Sequence, residues 1–382
     1  MFRAGFGTYH QDGQLDDQNV PESNEVQAFS LSAANIPDLS YPVSPFLDEV
    51  TGRISPSAMD RRRKDMYVSQ WGISIQQALP FSMIGTASYV GSKGTHLLTL
   101  SYVNVIDPET GARPYPDFSQ ISWRGNESNS TYNGLQLGLQ RTFRQGLLFT
   151  FNYTYSHEID DGSMGSGDGD SLTPQDVACR ACDRASGTFD VRHVVSGSMI
   201  YELPFGAGKP YLSSPGVLRT IFGSWQLTSI FAAHTGFPIN ILVSRSASSV
   251  PDGNTNNQRP DLVPGVSLTP VGGSTTANWI NFAAFTVPAA GTWGNAGRDI
   301  FFGPGLWQMD LGAGKQFLLT ERFRLQFRAE SFNIFNRAQL GQPNSNISAG
   351  PGEFGLITLP ANTTPIGMGT PRQIQLALRL QF

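Results

Sequence analysis

The last twelve residues, from Pro371, read P-R-Q-I-Q-L-A-L-R-L-Q-F. Ile374, Leu376, Leu378, Leu380 and Phe382 take every second position, with Gln373, Gln375, Ala377, Arg379 and Gln381 between them. Side chains of a strand alternate between its two faces, so this spacing predicts a strand with one apolar and one polar face. A half-buried strand of a sandwich has that pattern. So has a strand that separates lipid from an aqueous lumen, with the faces reversed.

The same alternation recurs along the chain. Leu147–His157 carries Phe149, Phe151, Tyr153 and Tyr155 on one face and Thr150, Asn152, Thr154 and Ser156 on the other. Four aromatics opposite a fully polar face fit a lipid-facing band better than a soluble core. Further spans are predicted at 2–9, 66–78, 81–91, 129–143, 189–203, 224–234, 306–317 and 322–335, which with the terminal strand makes about ten. The predicted connections alternate. Short ones centre on Pro80, Gln145, Phe205 and Thr320, where Gly146 supplies a positive φ for the hairpin at 144–146. Long polar ones run over 11–63, from 91 to about 128 with a hairpin extension at Ile121 and Trp123, and over 159–188, 235–305 and 336–370. The fourth of these holds a short β-run at 238–243. Short turns at one end and long loops at the other describe an outer-membrane barrel with periplasmic turns and extracellular loops. Putting Arg324 or Arg328 in lipid would cost about 2–4 kcal/mol each at midplane, which turns the polar face inward. The expected fold is all-β: an antiparallel up-and-down transmembrane β-barrel of about ten strands, whole or partial, with long extracellular loops.

Composition agrees. Charged residues make up 15% of the 382 residues, against roughly 25% in soluble globular chains. No run of about 18 apolar residues exists, so no transmembrane helix is available, whereas a barrel span needs only about 10 alternating residues. A net charge of −4 without a basic stripe argues against nucleic acid as a partner. Met1 is followed by F-R-A-G-F-G-T-Y-H, which has neither the basic nor the apolar region of a secretory signal.

Several stretches resemble the C-terminal barrel portion of TonB-dependent outer-membrane transporters, in particular the Oar-like group. They are V-G-S-K-G-T-H from Val90, Y-N-G-L-Q-L-G-L-Q-R-T-F from Tyr132, F-D-V-R-H from Phe189 and Y-E-L-P-F-G-A-G-K from Tyr201. R-P-D-L-V-P-G from Arg259, G-N-A-G-R from Gly294 and R-F-R-L-Q-F-R-A-E-S-F-N-I-F-N-R from Arg322 complete the set. The resemblance implies a 22-stranded barrel occluded by an N-terminal plug and driven by the TonB energy-coupling complex. It also implies that the terminal Phe382 is read by the barrel-assembly machinery. No plug, TonB-box segment or carboxypeptidase-like domain is recognisable, so the chain is expected to be a fragment covering about the last ten strands. The expected function is barrel wall and extracellular loops for uptake of a large or scarce solute, in contact with outer-membrane lipid, with no cofactor and no enzymatic activity. The alternatives are a stand-alone ten-strand pore and an outer-membrane rim protease.

Candidate sites are few. Cys179-Arg-Ala-Cys182 is a C-x-x-C, but a redox motif needs a thioredoxin-like helix start and a zinc site needs about four ligands. A loop disulfide in an oxidising compartment is the preferred reading. Asp160, Asp161, Asp168 and Asp170 offer oxygens for Ca²⁺, yet no Glu closes the loop. That first stretch reads as a solvated loop, while Asp252, Asn254 and Asn256 begin like a calcium loop without its Gly and Glu, a weak signal. His157, Asp160, Asp161 and His193 would have to cluster at the rim to activate water. Arg324, Gln326, Arg328 and Glu330 form a lumen-facing ladder, for which mutual pairing is preferred over solute contact. No catalytic triad, phosphate loop or nucleotide fingerprint is found.

Overall fold

The computed structural model describes residues 1–11, 55–60, 62–162, 173–320, 322–364 and 367–382. Ten long strands follow one another: β1 Phe2–Gln11, β2 Met66–Leu79, β3 Met83–Val103, β4 Ile121–Arg144, β5 Leu147–Asp160, β6 His193–Glu202, β7 Trp225–His234, β8 Leu306–Leu318, β9 Arg324–Phe332 and β10 Gln373–Gln381. Each is antiparallel to the next, and their order in the sheet is their order in the chain. Two short strands are added at the margins, Ser57–Met59 on β4 and Ala185–Ser186 on β5. Among the described residues, β1 pairs only with β2 and β10 only with β9, so both outer edges of the sheet are open.

The register joins the apolar positions of successive strands into rows. One row runs Phe2, Ile75, Ala87, Leu137, Tyr153, Val195, Ala233 and Trp307 across eight strands. The next position along reads Gln76, Thr86, Gly138, Asn152, Ser196, Ala232 and Gln308. The apolar face is uncovered: Ile75, Leu137, Phe151, Ile374, Leu376 and Leu378 are all exposed, Leu378 to 68%. In a water-soluble protein this would be a very large apolar patch. Aromatic side chains mark its limits. On β8, Trp307 and Phe317 are ten residues apart, about 33 Å along a strand and about 25 Å along the normal at a 40° tilt. That is the height of the apolar band of an outer-membrane barrel.

The buried core lies elsewhere. Every buried hydrophobic side chain among the described residues falls in the connections β7–β8 and β9–β10, and none on a long strand. Ile239, Ile241, Val243, Ile280, Ala284, Phe285, Ile347 and Phe354 form one cluster. The rings of Phe282 and Phe285 meet Phe354 edge-on. A side chain of this size contributes about 1.5–3 kcal/mol when fully buried. The loops at this end therefore fold as a layer with its own core, while the sheet beneath has none.

Three expectations need correction. The stretch from 91 to 128 is a loop only over 104–120; 91–103 and 121–128 form the far arms of β3 and β4, which include the expected hairpin extension at Ile121 and Trp123, with register shifts at 94–97 and 97–99. β4 has 24 residues, about 80 Å at 3.4 Å each, so most of that arm stands beyond a hydrocarbon core of about 30 Å. Outside lipid neither face has to be apolar, and the alternation disappears. Second, β6 starts at His193 rather than Phe189, because Asp190 is taken up by side-chain contacts rather than by the ladder. Third, the β6–β7 connection covers 203–224 and includes a helix, α1 Val217–Phe222, so it is not a short turn. The remaining connections at that end are tight. Phe81 and Ser82 adopt φ 60° and 58°, and Gln145 and Gly146 adopt 53° and 79°.

Candidate functional site

At the loop end, a network of buried charges ties the layer to the sheet. Arg259 and Arg298 are 3% and 4% exposed. Arg259 forms an ion pair with Asp183, and its Nε donates to the Ala296 carbonyl at 2.9 Å. Arg298 pairs with Asp160 at the end of β5 and, at 3.2 Å, with Asp299. Its Nε also donates to the Asp183 carbonyl at 2.8 Å. Two guanidiniums thus face three carboxylates. Burial, opposed by Arg298 and reinforced by Asp160, pushes the Asp299 carboxyl up to about 6. Gln175 is woven into the same cluster, accepting from Arg259 N at 2.7 Å and donating to the Gly294 carbonyl at 2.9 Å.

This geometry accounts for two of the sequence motifs. R-P-D-L-V-P-G from Arg259 and G-N-A-G-R from Gly294 lie against each other. Ala296 N donates to the Pro260 carbonyl at 3.0 Å, and Asn295 exchanges hydrogen bonds with Asp261 and Leu262 at 2.9 and 2.8 Å. Gly294 must be glycine, because a Cβ there would fall 1.9 Å from the Arg259 carbonyl oxygen. F-D-V-R-H from Phe189 is a third tie. The Asp190 carboxylate is buried and takes His157 Nδ1 at 3.1 Å, Arg192 Nε at 3.0 Å and Glu158 N at 2.8 Å. In the long motif from Arg322, Asn333 sits at φ 48° and donates to the carbonyls of Arg337 and Thr370.

The rim residues considered for catalysis do not converge. His157 and His193 are on the odd-numbered face of their strands with Tyr153 and Tyr155, whereas Asp160 is on the other. His193 Nδ1 meets the Tyr153 hydroxyl at 2.8 Å. Asp160 pairs with Arg298, and Asp161 accepts from Ser128 Oγ and Asn129 N, both at 2.7 Å. The acidic candidates for Ca²⁺ fare similarly. Asp252 Oδ1 accepts from Asn254 N, and the buried Asn254 donates to the Pro174 carbonyl and accepts from Asn256. Asp168 and Asp170 lie outside the described residues. Among the described residues no group of three His, Cys, Asp or Glu side chains has metal-holding geometry. Cys179 and Cys182 are joined as a disulfide across a 3₁₀ turn, with Cα atoms 5.4 Å apart.

Arg324, Gln326, Arg328 and Glu330 fall on one face of β9, opposite Leu325, Phe327 and Ala329. Arg328 and Glu330 form an ion pair. Arg324 faces Leu318 and Gln381, and Gln326 faces Gln316 and Arg379, on the neighbouring strands. Towards the middle of the sheet the same face is uncharged. A groove of about 430 Å³ is lined there by Thr86, Ser88, Gln136, Gln140, Thr150 and Asn152, among others. Phe382 follows β10 with its ring exposed.

Comparison with known proteins places this architecture. No curated protein matches the chain in sequence. Among solved structures it is similar to the outer membrane transporter YddB from Escherichia coli, at 10% identity and a TM-score of 0.51, over 100% of this chain and 38% of that one. It is also similar to the ferripyoverdine receptor of Pseudomonas aeruginosa (10% identity, TM-score 0.41, 84% and 27% coverage). A third is the FrpB iron transporter of Neisseria meningitidis (10%, 0.38, 86% and 33%). The chain thus spans 38% or less of the length of these three proteins. Residues 1–375 match the family model described as outer membrane beta barrel domain. With an antiparallel meander whose apolar face is exposed, the chain belongs to the outer membrane β-barrel domain family and is a protein of the outer membrane.

Proposed function

We propose that the chain forms the wall and extracellular loops of a TonB-dependent outer-membrane transporter of the Oar-like kind, which takes up a solute too large or too scarce for porins. The observation that carries this reading is that, among the described residues, both outer edges of the sheet are open. An edge backbone group left unpaired would cost several kcal/mol in hydrocarbon. Further strands then flank both edges, and the ten strands are a segment of a longer barrel. The likeness of the whole chain to 38% of an outer membrane transporter supports the same proportion. A plug and its coupling to the TonB complex belong to that longer protein.

On this reading the polar face lines the lumen. Arg328 and Glu330 satisfy each other, and the ladder of Arg324, Gln326, Arg328 and Glu330 keeps the interior wet rather than acting on the solute. The disulfide Cys179–Cys182 and the buried arginines hold the extracellular loops in shape for solute capture. Phe382 serves the barrel-assembly machinery. The test is an antibody against Arg372–Phe382 used on outer-membrane fractions of the source cells. A band more than twice 41.5 kDa is expected. A band at 41.5 kDa that migrates faster unboiled would replace the transporter with a small complete barrel.

A further inference from the structure

The β6–β7 connection is the one long connection at the tight-turn end, and its neck is pinched shut. Leu203 N donates to the Trp225 carbonyl at 2.9 Å, and Ser224 N to the Phe205 carbonyl at 2.8 Å. Gly206 and Gly223 pass so closely that a Cβ on Gly223 would lie 2.9 Å from Gly206 Cα. Glu202 and Lys209 close the base with a 2.7 Å ion pair. Beyond this neck the six-residue helix α1 carries no buried residue.

The helix is fixed against the lipid-facing side of the sheet, not the polar side. Lys315 and Trp225 are register partners on the apolar face. The Lys315 ammonium donates to the carbonyls of Thr220 and Ile221, the latter at 2.9 Å, and Trp225 Nε1 donates to the Ile221 carbonyl at 2.9 Å. Lys315 also lies over the rings of Phe317 and Trp225, at 4.8 and 5.7 Å to their centres. A lysine on an apolar belt is tolerated when its stem lies along the belt and its charge reaches polar partners at the edge. Here those partners are the last carbonyls of α1, which favour a cation.

So anchored, α1 turns its apolar side outward. Val217, Leu218, Ile221 and Phe222 are 73%, 61%, 50% and 55% exposed. At positions i, i+1, i+4 and i+5 they occupy one side of a helix, with Arg219 and Thr220 on the other. Tyr211 in the same connection is 61% exposed. This apolar surface continues the lipid-facing belt past Trp225 and Phe317. A short amphipathic helix at the rim of a lipid-facing wall meets the zone between headgroups and acyl chains.

We propose that α1 is an interfacial anchor that inserts Val217, Leu218, Ile221 and Phe222 into the periplasmic leaflet of the outer membrane. Its partner is a phospholipid surface. The inference rests on the membrane-spanning assignment of the sheet and not on transport. Its test is spin labelling. The chain contains only two cysteines, and they are joined to each other, so an introduced cysteine is the sole labelling site within the chain. The full-length protein carrying Leu218→Cys, Ile221→Cys, Phe151→Cys or Asn152→Cys is labelled in phospholipid bilayers. Collision of the label with oxygen, which partitions into lipid, is compared with collision with a water-soluble nickel chelate. Labels at 218 and 221 should give an oxygen-to-nickel ratio several-fold above that at 152 and approaching that at 151. A ratio at 218 and 221 equal to that at 152, with 151 still lipid-exposed, overturns the anchor and leaves this surface to water or to a periplasmic protein. A low ratio at 151 as well would instead remove the membrane assignment, and the anchor with it. Because the side chains replaced in the helix are exposed, labelling there leaves the fold intact.

Discussion

Phe151 stands near the middle of β5, on the apolar face between Leu139 and Gly197 and 43% exposed. Asn152, its neighbour, is on the polar face between Gly138 and Ser196. Replacing each by arginine separates two accounts of the sheet. In lipid, Phe151→Arg places a guanidinium near the bilayer midplane, at a cost of about 2–4 kcal/mol. That is roughly a 30- to 700-fold loss in the folded-to-unfolded ratio. Asn152→Arg adds the same charge to a face open to water, where a change within about 0.5 kcal/mol is expected. Urea unfolding in phospholipid vesicles, followed by tryptophan fluorescence, measures both. Were the apolar face merely an exposed surface in water, Phe151→Arg would be nearly neutral. Equal stabilities of the two variants, or the reverse order, would refute the outward orientation of this face.

Three further outcomes follow from the loop layer. Arg298→Ala leaves the buried carboxylates of Asp160 and Asp299 without that counter-ion and should destabilise the loops by about 3–5 kcal/mol. Limited proteolysis of residues 235–305 reads this, and the strands should stay protected. Gly294→Ala drives a methyl group to 1.9 Å from the Arg259 carbonyl, an overpacking of about 1–3 kcal/mol or more, and should open the same loops. Unchanged proteolysis in that variant would contradict the close approach. Asp299 gives the loops a pH dependence. Its folded value of about 6 lies above the ordinary 3.8, so the folded loops hold the proton more tightly than the unfolded chain. The contribution is complete below about 4 and is lost as pH rises through about 6. Digestion should therefore be faster at pH 8 than at pH 5, and Asp299→Asn should flatten the difference.

What could be read from the sequence was what lipid enforces. Along 71–75, 149–155 and 374–380 the large apolar side chains keep to one face of the strand, so the period of two holds there and the strands are found within a few residues. The arms of β3 and β4 beyond the membrane show in the sequence only at Ile121 and Trp123, because Ser92, Lys93, Thr95 and Asn126, Glu127, Ser128 leave neither face apolar. The loop core was illegible for another reason. Ile239, Ile241 and Val243 look like a short strand, but the residues they pack on, Ile280, Phe285, Ile347 and Phe354, are brought in from distant segments. Arg259 and Arg298 belonged to recognisable motifs, yet nothing local in either one points to its partner carboxylate, Asp183 or Asp160. A signal was available in the arginines themselves, set among Pro and Gly in a long loop with acids upstream. Helix α1 has six residues, too few for a 3.6-residue period to declare itself, and only the Pro215-Gly216 pair before it marks a break.

The central claim is that one face of this sheet meets lipid and the other water. Single cysteines placed in turn at residues 148–155 of β5, in the intact outer membrane, test it with a charged maleimide that cannot enter hydrocarbon. Labelling should alternate, with 148, 150, 152 and 154 modified and 149, 151, 153 and 155 protected. Modification at the odd positions, or no alternation at all, would contradict an outward apolar face and the barrel built on it.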